Sequence, residues 1–353
     1  MKKSIAIFVC FVMFLAIFAG CAKDNSGATI GVVMPSKNLQ RWNQDGENIK
    51  KQLQAKGYDV DLRFSNDSIE EQIEQIDDMI DNKVKILVIA SIDGPALKDV
   101  LQKAADKKIK VISYDRLILD SPNIDYYATF NNFDVGVMQG EFIESALNLA
   151  NAAGPFNIEI FSGSEDDNNS VDFYGGAMSI LQKYFDSGKL VTQSGKTSKA
   201  DTSIAGWKTE SAEARMNELL KSHYQDAKLD AVLSANDSLA LGVIFALRAA
   251  GYGPGKPFPI LTGQDCDKEN VKAMLAGEQS MSVFKDTRSL AARTVEMIDD
   301  LLVHDTTTVN DTTTYDNGYK IVPTYVCTPV FADKDNYKQI LIDSGYYNEA
   351  DFS

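Results

Sequence analysis

From Thr29 onward, short apolar runs alternate with amphipathic stretches along most of the chain. Residues 29–34, 85–90 and 110–114 have the length and the β-branched side chains of buried strands. Between such runs, residues 68–82 place apolar side chains at the spacing of one helix face. Each strand and its helix together take about 30 residues, which is the repeat of a βαβ unit in a parallel sheet. The pattern therefore predicts an α/β protein.

The alternation is interrupted near Phe130 and then restarts. The second half has predicted strands at 157–161, 231–234 and 260–262, separated by amphipathic helices. With 353 residues, the chain exceeds the size of one average domain. We therefore expect two doubly wound parallel-sheet lobes.

The first twenty residues differ in character from the rest. Two lysines are followed by an uncharged apolar run over residues 5–20, which is shorter than the about 20 residues that a membrane-spanning helix needs. This order is typical of an export signal, and small residues directly before Cys21 are what a lipoprotein-processing peptidase cleaves. We predict a lipoprotein signal peptide over residues 1–20, a lipid on Cys21 and a polar tether over residues 21–27. An ordinary signal peptide with a chance cysteine is the alternative.

The chain is acidic, with a net charge of −15. Removal of the two lysines of the signal peptide leaves 33 basic and 50 acidic residues, a net charge of −17. Because nucleic-acid binding needs clusters of Lys and Arg, this acidity argues against a nucleic-acid partner. It suits an exported protein that touches the membrane only through a lipid anchor.

Four cysteines are present, and they have different expected fates. Cys10 leaves with the signal peptide, and Cys21 would carry the lipid. Cys266 and Cys327 remain, and their separation of 61 positions does not decide whether they pair.

Polar side chains follow nearly every predicted strand. Ligands of open α/β sheets bind beyond the carboxyl ends of the strands, so these side chains are candidate contacts. Carboxylates, amides and basic groups together offer the donors and acceptors that sugar hydroxyls need, and the two tryptophans could cover the apolar faces of a sugar ring. The pattern favours an uncharged polyol as the ligand. The strand-end candidates and the Trp of a polar connection are Lys37, Arg41, Trp42, Asp93, Asp115, Arg116, Asp166, Asp167, Asn168, Asn169, Trp207, Asn236, Asp237, Gln264, Asp265 and Lys285.

Each candidate also has a purely structural interpretation. Asn236 could only cap the helix that follows it, and Asp115 with Arg116 could form a surface ion pair of little energetic value. Trp207 could be a packing anchor between lobes rather than a ligand contact. The occurrence of such residues at successive strand ends of both lobes favours the binding site.

Signals for catalysis are weak. The chain has only two histidines, His223 and His304, so a His-based triad or metal site has little to draw on. Residues 251–256 lack the glycine spacing and the Ser or Thr of a phosphate loop. Residues 166–177 lack the central Gly and the final Glu of a calcium loop. We expect no enzyme activity, no cofactor and no metal.

Several short motifs together resemble the periplasmic sugar-binding proteins of bacterial ABC importers, in particular the xylose-binding and multiple-monosaccharide-binding group. The resemblance runs from about Thr29 to the C-terminus. The segment 314–318, with Val322 and Pro323, is most similar to the multiple-sugar subgroup. Gly206 before the tryptophan and Asn236 follow the xylose-type pattern. The motifs are Gln40-Arg41-Trp42, Ser113-Tyr114-Asp115-Arg116-Leu117-Ile118, Gly163-Ser164, Asp167-Asn168-Asn169, Gly206-Trp207, Ser234-Ala235-Asn236-Asp237, Thr262-Gly263-Gln264-Asp265 and Val283-Phe284-Lys285-Asp286.

The resemblance implies the fold of type I periplasmic binding proteins, two lobes joined by three hinge strands with the ligand in the cleft between them. It implies an N-terminal lobe of residues 28–131 with 286–318 and a C-terminal lobe of residues 132–285 with 319–353. It adds Lys37, Asp93 and Asp167 as further candidates. The ligand contacts that it implies are Arg41, Trp42, Asp115, Arg116, Asn169, Trp207, Asn236, Asp265 and Lys285.

The expected function is delivery of a xylose-, glucose-, galactose- or arabinose-type monosaccharide to an ABC transporter permease, with a chemoreceptor or sensor kinase as a further reader of the closed form. A binding protein for another small polyol, such as a signalling autoinducer, is the alternative within the same fold. A DNA-binding, sugar-responsive repressor shares the lobe architecture, but its helix-turn-helix would need the space that the export signal occupies. An enzyme is the third alternative, which turnover of the bound sugar would reveal.

Overall fold

The computed structural model of the protein describes residues 27–352. The predicted signal peptide, Cys21 and all of the tether except Gly27 lie outside these residues. The strands are β1 (Thr29–Met34), β2 (Asp59–Phe64), β3 (Ile86–Ile89), β4 (Lys110–Tyr114), β5 (Tyr126–Phe130), β6 (Phe156–Phe161), β7 (Leu190–Val191), β8 (Ala231–Ser234), β9 (Ile260–Leu261), β10 (Met281–Phe284), β11 (Thr324–Cys327) and β12 (Val330–Asp333).

Helices connect most of these strands, as the alternating pattern predicts. They are α1 (Gln40–Ala55), α2 (Ile69–Asp81), α3 (Lys98–Asp106), α4 (Asn132–Ala146), α5 (Asn169–Asp186), α6 (Lys199–Thr202), α7 (Thr209–His223), α8 (Asp237–Ala249), α9 (Lys268–Leu275) and α10 (Thr287–His304). The tail forms a short π-helix at Lys338–Asp343. Within the described range, no helix has both the length and the apolar character needed to cross a membrane.

The first lobe contains a six-stranded sheet in the order β2-β1-β3-β4-β5-β11, with every neighbouring pair parallel. Apolar clusters cover both of its faces. The strand order reverses direction between β1 and β3. In doubly wound sheets this switch point opens a crevice at the carboxyl ends of the strands, where ligands bind.

The second lobe repeats this plan. Its parallel sheet has the order β7-β6-β8-β9, and the reversal falls between β6 and β8. A single parallel bridge from Gln264 to Val283 adds β10, which pairs antiparallel with β12. Apolar clusters again cover both faces. The prediction of two parallel α/β sheets is confirmed.

The chain passes between the lobes three times, after β5, β10 and β11. Helix α10 returns to the first lobe, where Leu290 and Ile298 pack in the same cluster as Ile49 of α1. Strand β11 pairs with β5 through Thr324 and Tyr127, so residues 324–327 lie in the first lobe.

The predicted lobe boundary at residue 318 is therefore wrong, because it assigns the segment that leads to β11 to the C-terminal lobe. The resemblance assigned residues 319–353, and with them Val322, to the C-terminal lobe. In the structure, Val322 is buried in the core of the first lobe, and the pairing strand starts at Thr324. The two remaining cysteines are both free. Cys266 is buried in the second lobe and Cys327 lies on the first-lobe sheet, so they do not form a disulfide.

Candidate functional site

A narrow cavity, partly open to solvent, lies between the lobes at the carboxyl ends of both sheets, and its empty space together with the part open to solvent is about 300 Å³. The residues that line it are Leu39, Arg41, Trp42, Asp115, Arg116, Asp167, Asn169, Phe173, Trp207, Asn236, Gln264, Asp265 and Lys285.

The two switch points place the helices that carry the cavity. After β1, helix α1 begins at Gln40 and presents Arg41 and Trp42 in its first turn. After β6, helix α5 begins at Asn169 and presents Phe173 one turn later. Asn236 caps α8 through its Oδ1, which accepts from the Leu239 N–H at 3.1 Å, and also lines the cavity. Asn236 therefore both caps the helix and lines the cavity.

Arg41 lies at the centre of a buried charge network. Its Nε and Nη2 donate to Asp45 Oδ2 at 3.0 and 2.8 Å, and the same Nη2 lies 2.9 Å from Asp115 Oδ2. Its Nη1 lies 3.8 Å from Asp265 Oδ1, which is also 3.2 Å from Lys285 Nζ. Asp115 belongs to the first lobe and Asp265 to the second, so Arg41 links carboxylates of both.

Burial and this network act in opposite directions on the carboxyl pKa values. Desolvation would raise the pKa of Asp115, but Arg41, Lys285 and Arg116 outweigh it and lower that pKa below its usual value. Desolvation dominates at Asp45 and raises its pKa to about 6, despite the attraction of Arg41. The cavity carboxylate Asp115 is therefore held ionised as a hydrogen-bond acceptor.

Direct contacts hold the lobes together around the cavity. Arg116 of the first lobe pairs with Asp167 of the second, with Nε 2.9 Å from Oδ2. Asn169 Nδ2 donates to the backbone carbonyl of Asp115 at 2.9 Å. Asp115 and Arg116 are thus not a surface ion pair with each other: both are buried, and each pairs with another residue.

The aromatic side chains of the cavity are packed in two groups. The guanidinium carbons of Arg41 and Arg116 lie 4.4 and 5.2 Å from the centre of the Trp42 ring. Trp207 meets Phe173 edge to face, with ring centres 6.2 Å apart, and Lys285 Nζ lies 5.5 Å from the Phe173 ring centre. Basic groups therefore already cover part of the Trp42 ring, which was expected to pack against the face of a sugar ring.

Trp207 has the packing role that the sequence left open as an alternative to a ligand contact. Its side chain is only 4% exposed and belongs to the main apolar cluster of the second lobe. A Cβ added to Gly163 would lie 2.0 Å from the Trp207 ring, so the chain needs glycine there. Trp207 is a packing residue as well as a wall of the cavity.

Several buried polar atoms of the cavity residues have no hydrogen-bond partner within residues 27–352. Trp207 Nε1 and Gln264 Oε1 have neither a hydrogen-bond partner nor an ion-pair partner among these residues. Asp115 Oδ2, Arg116 Nε and Asp265 Oδ1 each lie close to an oppositely charged side chain but form no aligned hydrogen bond with it. Buried polar groups normally find partners, so Trp207 Nε1 is free to donate a hydrogen bond and Gln264 Oε1 is free to accept one. The five atoms are Asp115 Oδ2, Arg116 Nε, Trp207 Nε1, Gln264 Oε1 and Asp265 Oδ1.

Three cavity residues also have left-handed backbone angles. Asp115 has φ 59°, Trp207 has φ 56° and Asp265 has φ 97°, conformations that side chains other than Gly rarely adopt. Such strain is commonly found at ligand sites, where the surrounding structure holds it in place. At Asp265 the support comes from Asp237, which is fully buried, accepts from the Asp267 N–H at 2.9 Å and donates its own N–H to the Gln264 carbonyl.

All nine predicted contacts line the cavity, and so does Asp167. Lys37 is exposed and lies over the Phe64 ring, with Nζ 5.0 Å from its centre. Asp93 accepts a weak 3.4 Å hydrogen bond from the Ala96 N–H at the start of a short 3₁₀ helix. Neither Lys37 nor Asp93 lines the cavity.

Three lining residues were absent from the predicted contact set. Phe173 lies four positions after Asn169, so helical spacing could have placed both on one face. Gln264 directly precedes Asp265 and was among the strand-end candidates, but it was not in the predicted contact set. Leu39 carries no signal of its own, because an apolar residue before a helix is ordinary.

Comparison with known proteins gives a consistent result. A family model described as a periplasmic binding protein domain matches residues 30–306. The multiple sugar-binding periplasmic protein SbpA of Azospirillum brasilense is 53% identical over 325 residues, covering 92% of this chain and 91% of that protein. The multiple sugar-binding periplasmic receptor ChvE of Rhizobium radiobacter is 49% identical, covering 98% of each chain.

A solved structure is equally similar. It is an ABC transporter solute binding protein from Clostridium phytofermentans with bound β-D-glucose, 54% identical, with a TM-score of 0.89, covering 92% of this chain and 100% of that one. The fold, the cleft at two switch points and these similarities lead to one conclusion. The chain belongs to the periplasmic binding protein family, in the group of the sugar-binding receptors.

Proposed function

We propose that this protein binds a neutral monosaccharide in the cavity between its lobes and delivers it to an ABC transporter. The observation that carries the proposal is the set of five buried polar atoms that line the cavity without an aligned hydrogen bond, two of which have no ion-pair partner either. Sugar hydroxyls donate and accept at once, so one aldose could satisfy carboxylate, amide, indole and guanidinium atoms together.

The charge balance of the cavity supports a neutral ligand. Three basic side chains and three carboxylates line it, and the carboxylates are Asp115, Asp167 and Asp265. A charged ligand would leave a buried net charge, which is costly. The β-D-glucose in the structure that is 54% identical is such a neutral ligand. The chain is accordingly a binding protein and not an enzyme.

A thermal-shift screen tests the ligand class. Because a ligand that binds only the folded state raises stability, saturating D-glucose, D-galactose, D-xylose or L-arabinose is expected to raise the Tm by several degrees. D-glucose 6-phosphate is the matched charged control and is expected to leave the Tm unchanged. A shift with the phosphate and none with the neutral sugars would overturn the proposal, as would the absence of a shift with all four neutral sugars.

The residue roles and domain movements that we propose follow from the geometry. Asp115 and Asp265 would accept hydroxyl donors from opposite lobes, while Arg41, Arg116 and Lys285 would donate. The lobes would open about the three connecting segments and close on the sugar. The permease would recognise the closed form, and a chemoreceptor or sensor kinase could read the same form.

We further propose that the exported protein is held at the membrane by a lipid on Cys21. The Cys21→Ser variant is expected to move to the soluble fraction or to remain unprocessed, because a hydroxyl cannot replace the thiol in lipid transfer. Membrane fractionation with immunoblotting measures this. The Cys10→Ser variant is the control and should fractionate like the parent. Membrane retention of a normally processed Cys21→Ser chain would contradict the proposal.

A further inference from the structure

The base of the first lobe carries lysines that the sugar site does not use. Lys83 and Lys85 precede β3, and Lys107 and Lys108 precede β4, so all four lie at the amino ends of neighbouring parallel strands. All four are exposed, and they line one shallow groove. The cavity lies at the opposite, carboxyl end of the same sheet.

These four ammonium groups have no ion pair or hydrogen bond to any residue between 27 and 352, unlike their neighbours. Asp81, the acidic side chain that lines the groove, already pairs with Lys103 at 2.9 Å. Lys110, on the other side of Ile109, pairs with Asp125 at 3.2 Å. The mature chain is strongly acidic overall, so a groove with four free positive charges is a local reversal of sign.

The backbone gives a second, independent observation. Lys83 and Lys108 each stand one position beyond a helix C-cap and both have φ 60°. This position favours Gly because a side chain costs energy there. The equivalent residue after four other helices of this chain is glycine: Gly57, Gly188, Gly251 and Gly277. Two lysines at strained positions on one groove indicate a function that needs their charge.

The chain enters the fold beside this groove. The Lys85 N–H donates to the Thr29 carbonyl at 2.9 Å, so the groove adjoins the start of β1. Six peptide units separate Cys21 from Gly27, and a fully extended chain of that length spans at most about 20 Å. A lipid on Cys21 would therefore keep the base of the first lobe close to the bilayer.

We propose that the groove formed by Lys83, Lys85, Lys107 and Lys108 binds anionic phospholipid headgroups of the membrane to which the protein is tethered. The proposed lipid on Cys21 is the reason for choosing a membrane as the partner of the groove. Together, tether and groove orient the first lobe with its base on the membrane and the carboxyl ends of its strands, where the sugar cavity lies, away from it. Each lysine near an anionic surface is worth about a fivefold gain in affinity.

The test uses the chain from residue 22, which cannot be lipidated. The solved relative that matches 92% of this chain in full indicates that the remainder folds without the N-terminal segment. Sedimentation is measured with vesicles of phosphatidylglycerol and phosphatidylcholine in equal parts, and with vesicles of phosphatidylcholine alone. We expect binding to the anionic vesicles only, and loss of that binding at about 0.5 M salt, because screening is then strong.

Replacing all four lysines by Gln is expected to weaken vesicle binding by about a hundredfold or more. The matched control changes Lys196, Lys221, Lys228 and Lys334 of the second lobe to Gln, which alters the net charge equally, and it should bind vesicles like the parent. Glucose binding is measured in parallel and should be the same in all three proteins. Failure of the parent to bind glucose while it binds anionic vesicles would count against the proposed function and not against this groove.

A double variant separates charge from folding. The Lys83→Gly, Lys108→Gly protein is expected to bind anionic vesicles about 25-fold more weakly, while its Tm does not fall, because glycine suits the left-handed backbone. Equal vesicle binding by the parent and the four-lysine variant would overturn the proposal, as would no binding by the parent. Full competition by millimolar inorganic phosphate would show a general anion site and overturn the assignment to the membrane.

Discussion

The Asp265→Ala variant is expected to bind D-glucose about a hundredfold more weakly, or worse, than the parent protein. Asp265 is only 8% exposed, and its Oδ1 lies 3.2 Å from Lys285 Nζ without an aligned hydrogen bond. Hydrogen bonds to charged groups are worth about 1.5–3 kcal/mol each, and a carboxylate can accept two hydroxyls. Its loss would also leave Lys285 buried without its partner, which adds to the cost.

Calorimetry measures the affinity, and small-angle scattering with and without sugar measures whether the lobes close. The Asp115→Ala variant should behave alike, because closure needs both lobes to hold one ligand. Asp93→Ala is the matched control, since Asp93 is a strand-end carboxylate that does not line the cavity. If Asp265→Ala binds and compacts like the parent, the site assignment is wrong.

The Trp207→Ala variant is expected to lose detectable monosaccharide binding and also to lose stability. Its indole is almost fully buried beside Phe173, and truncating a core aromatic typically costs about 3–5 kcal/mol. Trp207 Nε1 has no hydrogen-bond partner in the described part of the chain, so we assign it a ligand oxygen.

Two substitutions separate the effects. Trp207→Phe keeps most of the packing but removes the N–H, so it should retain most of the Tm while binding sugar about tenfold more weakly. Thermal denaturation and calorimetry of both variants measure this. Parent-like affinity in Trp207→Phe, with a lowered Tm in Trp207→Ala, would make Trp207 a packing residue only.

The sequence predicted the parts of the fold that depend on local patterns. Strands such as β1 and β3 are apolar runs of suitable length, and the alternation with helices leaves a parallel sheet as the natural solution. The rule that ligands bind at carboxyl strand ends then placed Arg41 and Asp265 correctly in one cavity. The division at residue 318 failed because the sheet to which a short strand such as β11 belongs is decided by long-range pairing.

The contacts within the candidate site that depend on tertiary packing were harder to predict. The sequence did not decide between packing and ligand contact for Trp207, because Gly163 and Phe173, which pack against it, are distant in the chain. The pairing of Arg116 with Asp167 rather than with Asp115 depends on how the lobes meet. Lys37 is a basic residue after a strand, as several of the site residues are. The loop after β1 nevertheless directs it outward, where it is exposed and lies over the Phe64 ring.

Intrinsic fluorescence gives the most direct test of the sugar site. The chain contains two tryptophans, Trp42 and Trp207, and both line the cavity, so a change in tryptophan emission reports on that place. Titration with D-glucose is expected to change the emission saturably with a Kd of about 1 μM or tighter, which corresponds to about −8 kcal/mol. Emission that stays constant up to about 10 mM glucose, far above that Kd, would contradict the account.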